Sequence, residues 1–206
     1  MARIVVALVA ALCGVLDSPQ QTRLDELIQN AAFGETVRIT LSARRPLWDL
    51  PTVLSNADVI VEGTVRSVRS EASGLPDHVT STLVIVVSEM WLDRRTPPSD
   101  TAATPPARVV VRQSGGRIEY QGRFIEVQDD SFPILSVGTD VVLFLNKSGD
   151  GNSSMEIVDG PYGAFVKEGQ SIRSLLGPGH ELRGTYDGLD RDSFKLTVAK
   201  ALADAR

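Results

Sequence analysis

Val79-Thr80-Ser81-Thr82-Leu83-Val84-Ile85-Val86-Val87-Ser88-Glu89-Met90-Trp91 is dense in β-branched residues. Such side chains pack well on a pleated surface and lose rotamer freedom in a helix, so the stretch reads as one long strand. Successive strand side chains point to opposite faces. Leu83, Ile85 and Val87 therefore fall on one face, and Val84 and Val86 on the other. Apolar residues on both faces imply a central strand with a cover on each side. The strand ends beside a Pro/Thr/Ala stretch at 96–106, with pairs at Pro97-Pro98 and Pro105-Pro106. Proline cannot donate to a ladder, so this stretch reads as an exposed loop.

Outward from that strand, most of the chain carries the same signal. Val59 to Val68 precedes it, across a loop with Gly74, Pro76 and Asp77. Arg108–Gln113 follows, then a turn at Gly115-Gly116 and a run Arg117–Val127, in which Gly122 marks a bulge or turn. Val141–Leu145, a hairpin turn at Ser148-Gly149-Asp150-Gly151-Asn152 and Met155–Val158 come next. After a turn at Gly160-Pro161, Gly163–Val166 pairs with Ser171-Ile172 across Glu168-Gly169. About eight short strands at this spacing favour an antiparallel barrel or a sandwich. Upstream, Val37, Ile39 and Leu41 alternate as a short strand.

Helix signals sit at the two ends. Thr22 and Asp25 resemble a capping box ahead of Leu24, Leu27, Ile28 and Ala31, and Gly34 stops that run. Asp49-Leu50-Pro51 opens one or two helical turns ending near Asn56. At the C-terminus Asp190 is a good N-cap, and Leu189 and Phe194 hold the positions of a hydrophobic staple. Phe194, Val198 and Leu202 then form one stripe. The expected organisation is a leader-like segment at 1–18, an N-terminal helix and extension at 19–56, a β-barrel domain at 57–175, and a turn and helix at 176–206.

Composition limits function. Of 206 residues, 42% are apolar and 23% charged, which suits a packed core that needs neither disulfide nor metal. The net charge is −5 and no Lys/Arg-rich run occurs, whereas a nucleic-acid binder presents a basic face. Residues 4–16 are uncharged and follow Arg3. That is too short for a bilayer span, which needs about 20 residues, and matches the apolar core of an export signal. Export to the periplasm, the envelope or the medium is expected. The alternative is a structural strand or helix in a cytoplasmic protein.

No catalytic or metal-binding motif emerges. Cys13 is the one cysteine, and His78 and His180 have no second ligand at metal spacing, so no cofactor is expected. Asp150 to Pro161 departs from a calcium loop at its sixth position, Met155, and at its last, Pro161. Gln113-Ser114-Gly115-Gly116 lacks the glycine that a nucleophile elbow needs before its serine. Asp129-Asp130 reads as a solvated pair, because acid–base chemistry needs carboxylates on opposite sides of a substrate. The candidate ligand-binding residues are Trp91, with Arg94 and Arg95 just beyond it. Each has an ordinary alternative: core packing for Trp91, a solvated pair for the arginines.

Ala57-Asp58-Val59-Ile60-Val61-Glu62-Gly63-Thr64-Val65, the long strand, Val109–Gly116 and Val137-Gly138-Thr139-Asp140-Val141-Val142-Leu143-Phe144-Leu145 together resemble a broad group of bacterial secreted β-rich proteins of unassigned activity. Gly160-Pro161-Tyr162-Gly163-Ala164-Phe165 and the Leu189–Leu202 helix fit the same group. The order is similar, more distantly, to the netrin-like module of tissue inhibitors of metalloproteases, an OB-type barrel. The resemblance covers residues 57–172 and implies an OB-like fold and an exported setting. It does not carry the inhibitors' activity, which rests on an N-terminal cysteine and a disulfide frame that this chain lacks. The expected function is an exported, non-catalytic binding module for an envelope protein or a polysaccharide. An enzyme with a site assembled from scattered residues is the alternative. An OB-type single-stranded nucleic-acid binder ranks last, since such grooves interleave cations with aromatics and aromatics are 5% here.

Overall fold

A computed structural model describes residues 4–7, 28–41, 48–72, 78–95, 107–149, 154–176 and 181–204. The loop at 96–106, the helix start at 22–27, the turn centred on 150–152, Gly177–His180 and most of the leader segment lie outside these residues. The protein is mainly β, with eleven strands among the described residues in two sheets. It divides into two compact units. The first comprises Met1–Arg44, Arg69–Ser81 and Ser114–Ile134, and the second Arg45–Val68, Thr82–Gln113 and Leu135–Arg206.

The first unit holds a four-stranded sheet. Its strands are β1 (Ile4–Ala7), β2 (Thr36–Leu41), β6 (Gly116–Tyr120) and β7 (Arg123–Asp129), in the order β1-β2-β7-β6. β1 and β2 are parallel, and so are β2 and β7; only β6 and β7 form a hairpin. Its turn is Gln121-Gly122, both with positive φ, between the paired Tyr120 and Arg123. Two left-handed residues make the tight turn whose twist suits a hairpin. Gly122 is thus a turn residue, and Arg117–Val127 is two strands. Ile28, Ile39, Val79, Ile125 and Val127 form this unit's core.

Most of the seven-stranded sheet belongs to the second unit, in the order β11-β10-β8-β3-β4-β5-β9. The strands are β3 (Val59–Ala72), β4 (Val79–Asp93), β5 (Arg108–Ser114), β8 (Asp140–Lys147), β9 (Met155–Ile157), β10 (Ala164–Glu168) and β11 (Ser171–Ser174). β4 stands between β3 and β5, the central place its composition predicts. β9 pairs with β5 in parallel and also with β8, so hydrogen bonding runs round a ring of five strands, β8-β3-β4-β5-β9. One edge of β8 serves two partners: Val141–Leu143 pairs with β10, and Leu145–Lys147 with β9.

Parallel pairs correct the expectation of an all-antiparallel arrangement. Alternation in sequence reports which face a residue occupies and says nothing of a neighbour's direction. Where no hairpin joins two strands, as with β2 and β7 or β5 and β9, direction is set by the tertiary fold.

Among the described residues, three α-helices belong to the second unit: α1 (Leu50–Asn56), α2 (Glu181–Tyr186) and α3 (Arg191–Asp204). Asp49 caps α1 by accepting from the Thr52 amide at 2.9 Å, and Pro51 occupies the first turn, where no amide donor is needed. Asp190 caps α3, accepting from the Ser193 amide at 2.9 Å. Leu189 packs against the cluster that buries Phe194, as a staple requires. That cluster joins Leu50, Val53 and Leu54 of α1, Phe194 and Val198 of α3, and Ile60, Val142, Phe144, Phe165 and Ile172 of the sheet. Ile60 and Phe144 are cross-strand partners, so the helices lie over the β3–β8 pair. Alternate residues of the same strands, Val59, Val61, Leu143 and Leu145, are buried as well, as are Leu83, Ile85, Val109 and Val111.

Candidate binding surface on strands β4 and β5

Trp91 lies at the C-terminal end of β4, with Arg94 and Arg95 just beyond it, and each has a distinct environment. Trp91 is half-buried and packs on the aromatic layer beneath α3, its ring centroid 6.1 Å from that of Phe194. Arg191 and Lys195 of α3 lie over its ring at 5.9 and 5.8 Å, within cation–π range. Its indole Nε1 is buried without a hydrogen-bond partner among the described residues.

Arg94 turns back on α1. Its Nη1 donates to the carbonyls of Leu54, Ser55 and Ala57 at 3.1, 3.2 and 2.9 Å. The last carbonyls of a helix have no partner within it and carry partial negative charge, so a guanidinium there satisfies both demands. Arg95 grips Asp93 through Nε and Nη2, at 2.9 and 2.8 Å, and its Nη1 reaches the Met155 sulfur at 3.8 Å. The hydrogen bonds that Arg95 donates to Asp93 raise its guanidinium above its ordinary pKa. The fold thus brings Trp91 together with α3, and gives Arg94 and Arg95 intramolecular partners.

Beside Trp91 lies a charge network that no sequence spacing could reveal, because its members come from four elements. Glu62 of β3 is only 5% exposed. It accepts from Lys167 of β10 at 3.0 Å and from Arg191 of α3 at 2.8 and 3.0 Å. Arg191 also pairs with Glu89 of β4, which in turn pairs with Lys195. Burial pushes the Glu62 carboxyl up, and the bonds from Arg191 and Lys167 outweigh it, leaving the group below its ordinary range. Glu89 is also lowered, first by the Lys195 bond. A buried carboxylate is tolerable only when paired in this way.

What these contacts leave open is the rest of the β4–β5 face. Val86 is 39% exposed and Val110 38% exposed, while Val84 is half-buried. The Val87 amide donates to the Ala107 carbonyl at 3.1 Å, which places the start of β5 beside the middle of β4. Arg108 and Arg112 stand on the same alternation of β5 as Val110, and Thr82 and Ser88 on that of Val86. The helices cover Ile60 and Phe144, so the cover expected over Val84 and Val86 is absent at Val86. No aromatic residue stands on either of these alternations in β4 or β5. Seven aromatics instead join or flank the helix-side cluster: Trp48, Trp91, Phe144, Tyr162, Phe165, Tyr186 and Phe194.

Asp129 differs from its sequence reading. It is buried, and its Oδ1 accepts from the Ser131 amide and hydroxyl at 2.9 and 2.7 Å. It organises the turn after β7 and is not half of a solvated pair. Among the described residues, no group of three or more His, Cys, Asp and Glu is placed to hold a metal ion, and no helix is long and apolar enough to cross a membrane. The chain matches no protein-family model and no curated protein sequence.

Proposed function

We propose that this protein is an exported, non-catalytic binding module built on an OB-like β-barrel, and that its partner is an envelope protein. The ring β3-β4-β5-β9-β8, with β5 and β9 parallel, supports the OB-like reading. The observation that carries the binding reading is the β4–β5 face, where Val86 and Val110 are exposed on adjacent strands of a well-packed sheet. In an OB-type barrel, the face of the corresponding strands is where ligands bind. Its chemistry selects among partners. Sugar rings and bases are held by stacking on aromatics, and this face has none; branched aliphatics flanked by Arg108 and Arg112 suit a protein surface. Export is supported by the uncharged residues 4–16; cleavage after them would remove β1, the edge strand whose Ile4–Ala7 pairs with β2.

The test is site-specific photo-crosslinking in the native envelope. A benzophenone amino acid at position 86 should give one discrete protein adduct, lost on Val110→Lys. The same probe at Leu196, exposed on α3, should give none. Adducts of equal yield from both positions would refute the surface. Soluble envelope polysaccharide or a single-stranded oligonucleotide that shifts the Val86 and Val110 NMR resonances would replace the protein partner with that class.

A further inference from the structure

The four-stranded sheet of the first unit ends on β1, and β1 lies within the uncharged segment 4–16. Loss of that segment on export makes β2 the edge of the sheet. We propose that this edge is a docking site for an extended strand of another protein, and that Ile4–Ala7 is its placeholder until the leader is removed. The strand it accepts is uncharged, β-branched and parallel to β2. The inference rests on the export reading above.

What carries it is the contrast between β2 and the other sheet ends. A free edge offers unpaired amides and carbonyls at strand spacing, and proteins blunt it with charges, proline, short length or a cover. β11 is covered: the Ile172 amide donates to the Leu189 carbonyl at 2.8 Å, and the Gly188 amide to the Ile172 carbonyl at 2.9 Å. β9 is paired on both sides, with β5 and β8. β6 has only five residues, and Arg117 and Glu119 among them are charged. Against β1, the sequence Thr36-Val37-Arg38-Ile39-Thr40-Leu41 has no such device: no proline, and four β-branched residues of six. Its one charge is drawn away from the edge. Arg38 donates to Glu126 of β7, its direct cross-strand neighbour on the opposite side from β1, from Nε at 3.2 Å and from Nη2 at 2.9 Å. β7 also pairs with β2 from Thr36 to Leu41, and Val37 and Ile39 are buried, so β2 is held in place without β1.

The placeholder shows what fits. Ile4, Val5, Val6 and Ala7 pair in parallel with Val37, Arg38, Ile39 and Thr40. Three of the four are β-branched and none is charged. In strand addition the ladder supplies affinity and the side chains supply selectivity. A second copy of this chain is the wrong occupant, because identical edges related by a twofold axis run antiparallel, whereas β2 receives β1 in parallel.

The probe is a fluorescein-labelled peptide of residues 3–8, followed by anisotropy. The full chain carrying Val5→Pro and Val6→Pro keeps every other residue and frees the edge, whichever of the two amides faces β2. It should bind the peptide with Kd on the order of 10 µM. The wild-type full chain should bind about a hundredfold more weakly, because its tethered strand competes at an effective concentration on the order of 1 mM. A chain folded first and then cut after Leu16 at an inserted protease site should match the proline variant, and it keeps the test alive if that variant does not fold. The peptide carrying the same two prolines should not bind. Equal binding of the two peptides, equal affinity of wild-type and freed chains, or no anisotropy change with either freed chain at about 1 mM would overturn the site. A freed chain that dimerises, with the dimer dispersed by the peptide, would put a second copy in place of the partner strand. The two readings fail separately. Residues 1–16 retained on the native protein would refute export and make β1 the permanent edge, whereas a failed peptide test leaves export standing.

Discussion

Phe194→Ala is the substitution that tests the helix layer most directly. Phe194 is 0% exposed, and its ring lies 4.8 Å from Phe165, 6.0 Å from Tyr186, 6.1 Å from Trp91 and 6.5 Å from Phe144. Truncating a buried phenylalanine costs about 3–5 kcal/mol, the lost transfer energy plus the cavity. The four aromatic neighbours place this site in the upper half, at about 4 kcal/mol, because tilted ring pairs add to area burial. For a chain of this size that corresponds to a drop in Tm of about 8–16 °C. Denaturant unfolding should be followed by tryptophan fluorescence, since Trp48 and Trp91 both lie in the second unit and report on it alone. Leu196→Ala is the internal control: the side chain is 72% exposed on the same helix, and its loss should cost about 0.5 kcal/mol or less. A cost below about 1 kcal/mol for Phe194→Ala would mean that α3 does not seal this layer.

Arg94→Met should destabilise by about 1–3 kcal/mol, because it strips a shared donor from three carbonyls, and Arg94→Lys should recover part of that; equal melting curves for all three proteins would refute the helix-capping role. Acid should weaken the second unit. Glu62 and Glu89 are lowered in the folded state, so their contribution is complete above the ordinary glutamate pKa and is lost as pH falls through the depressed folded values. Stability measured by urea unfolding should therefore be flat above about pH 5 and fall below about pH 4, with a shallower fall in Glu62→Gln. N-terminal sequencing of the mature protein from its native host should find residues 1–16 removed. Recovery of Met1 or Ala2 would withdraw export and leave β1 in place.

The strand content and the helix at the C-terminus are legible in the sequence because their signals are local. Alternation in β4 places Leu83 and Ile85 in the core, and the Leu189/Phe194 pair fixes the start of α3. Less is legible where the cause is non-local. Nothing in Thr36–Leu41 reveals that it pairs in parallel with Arg123–Asp129, so the second sheet goes unread. Val86 looks the same in sequence whether a helix covers it or not. The candidate residues show the same limit: Trp91, Arg94 and Arg95 adjoin in the chain, yet one packs under α3, one closes α1 and one chelates Asp93.

The ring of pairings has a consequence for how the chain is made. β3 finds β8 through Val59 and Leu145, and the ring closes only when Met155 and Glu156 reach Val111 and Arg112. These contacts are remote in sequence, and such closures are slow because loop entropy is lost before any contact compensates it. During synthesis β3, β4 and β5 emerge first, with Leu83 and Ile85 exposed and the outer edge of β5 unpaired. Open edges next to apolar faces recruit other chains. A ribosome-stalled or truncated product ending before residue 155 should therefore aggregate or engage chaperones, whereas one that includes β9 is released from that hazard.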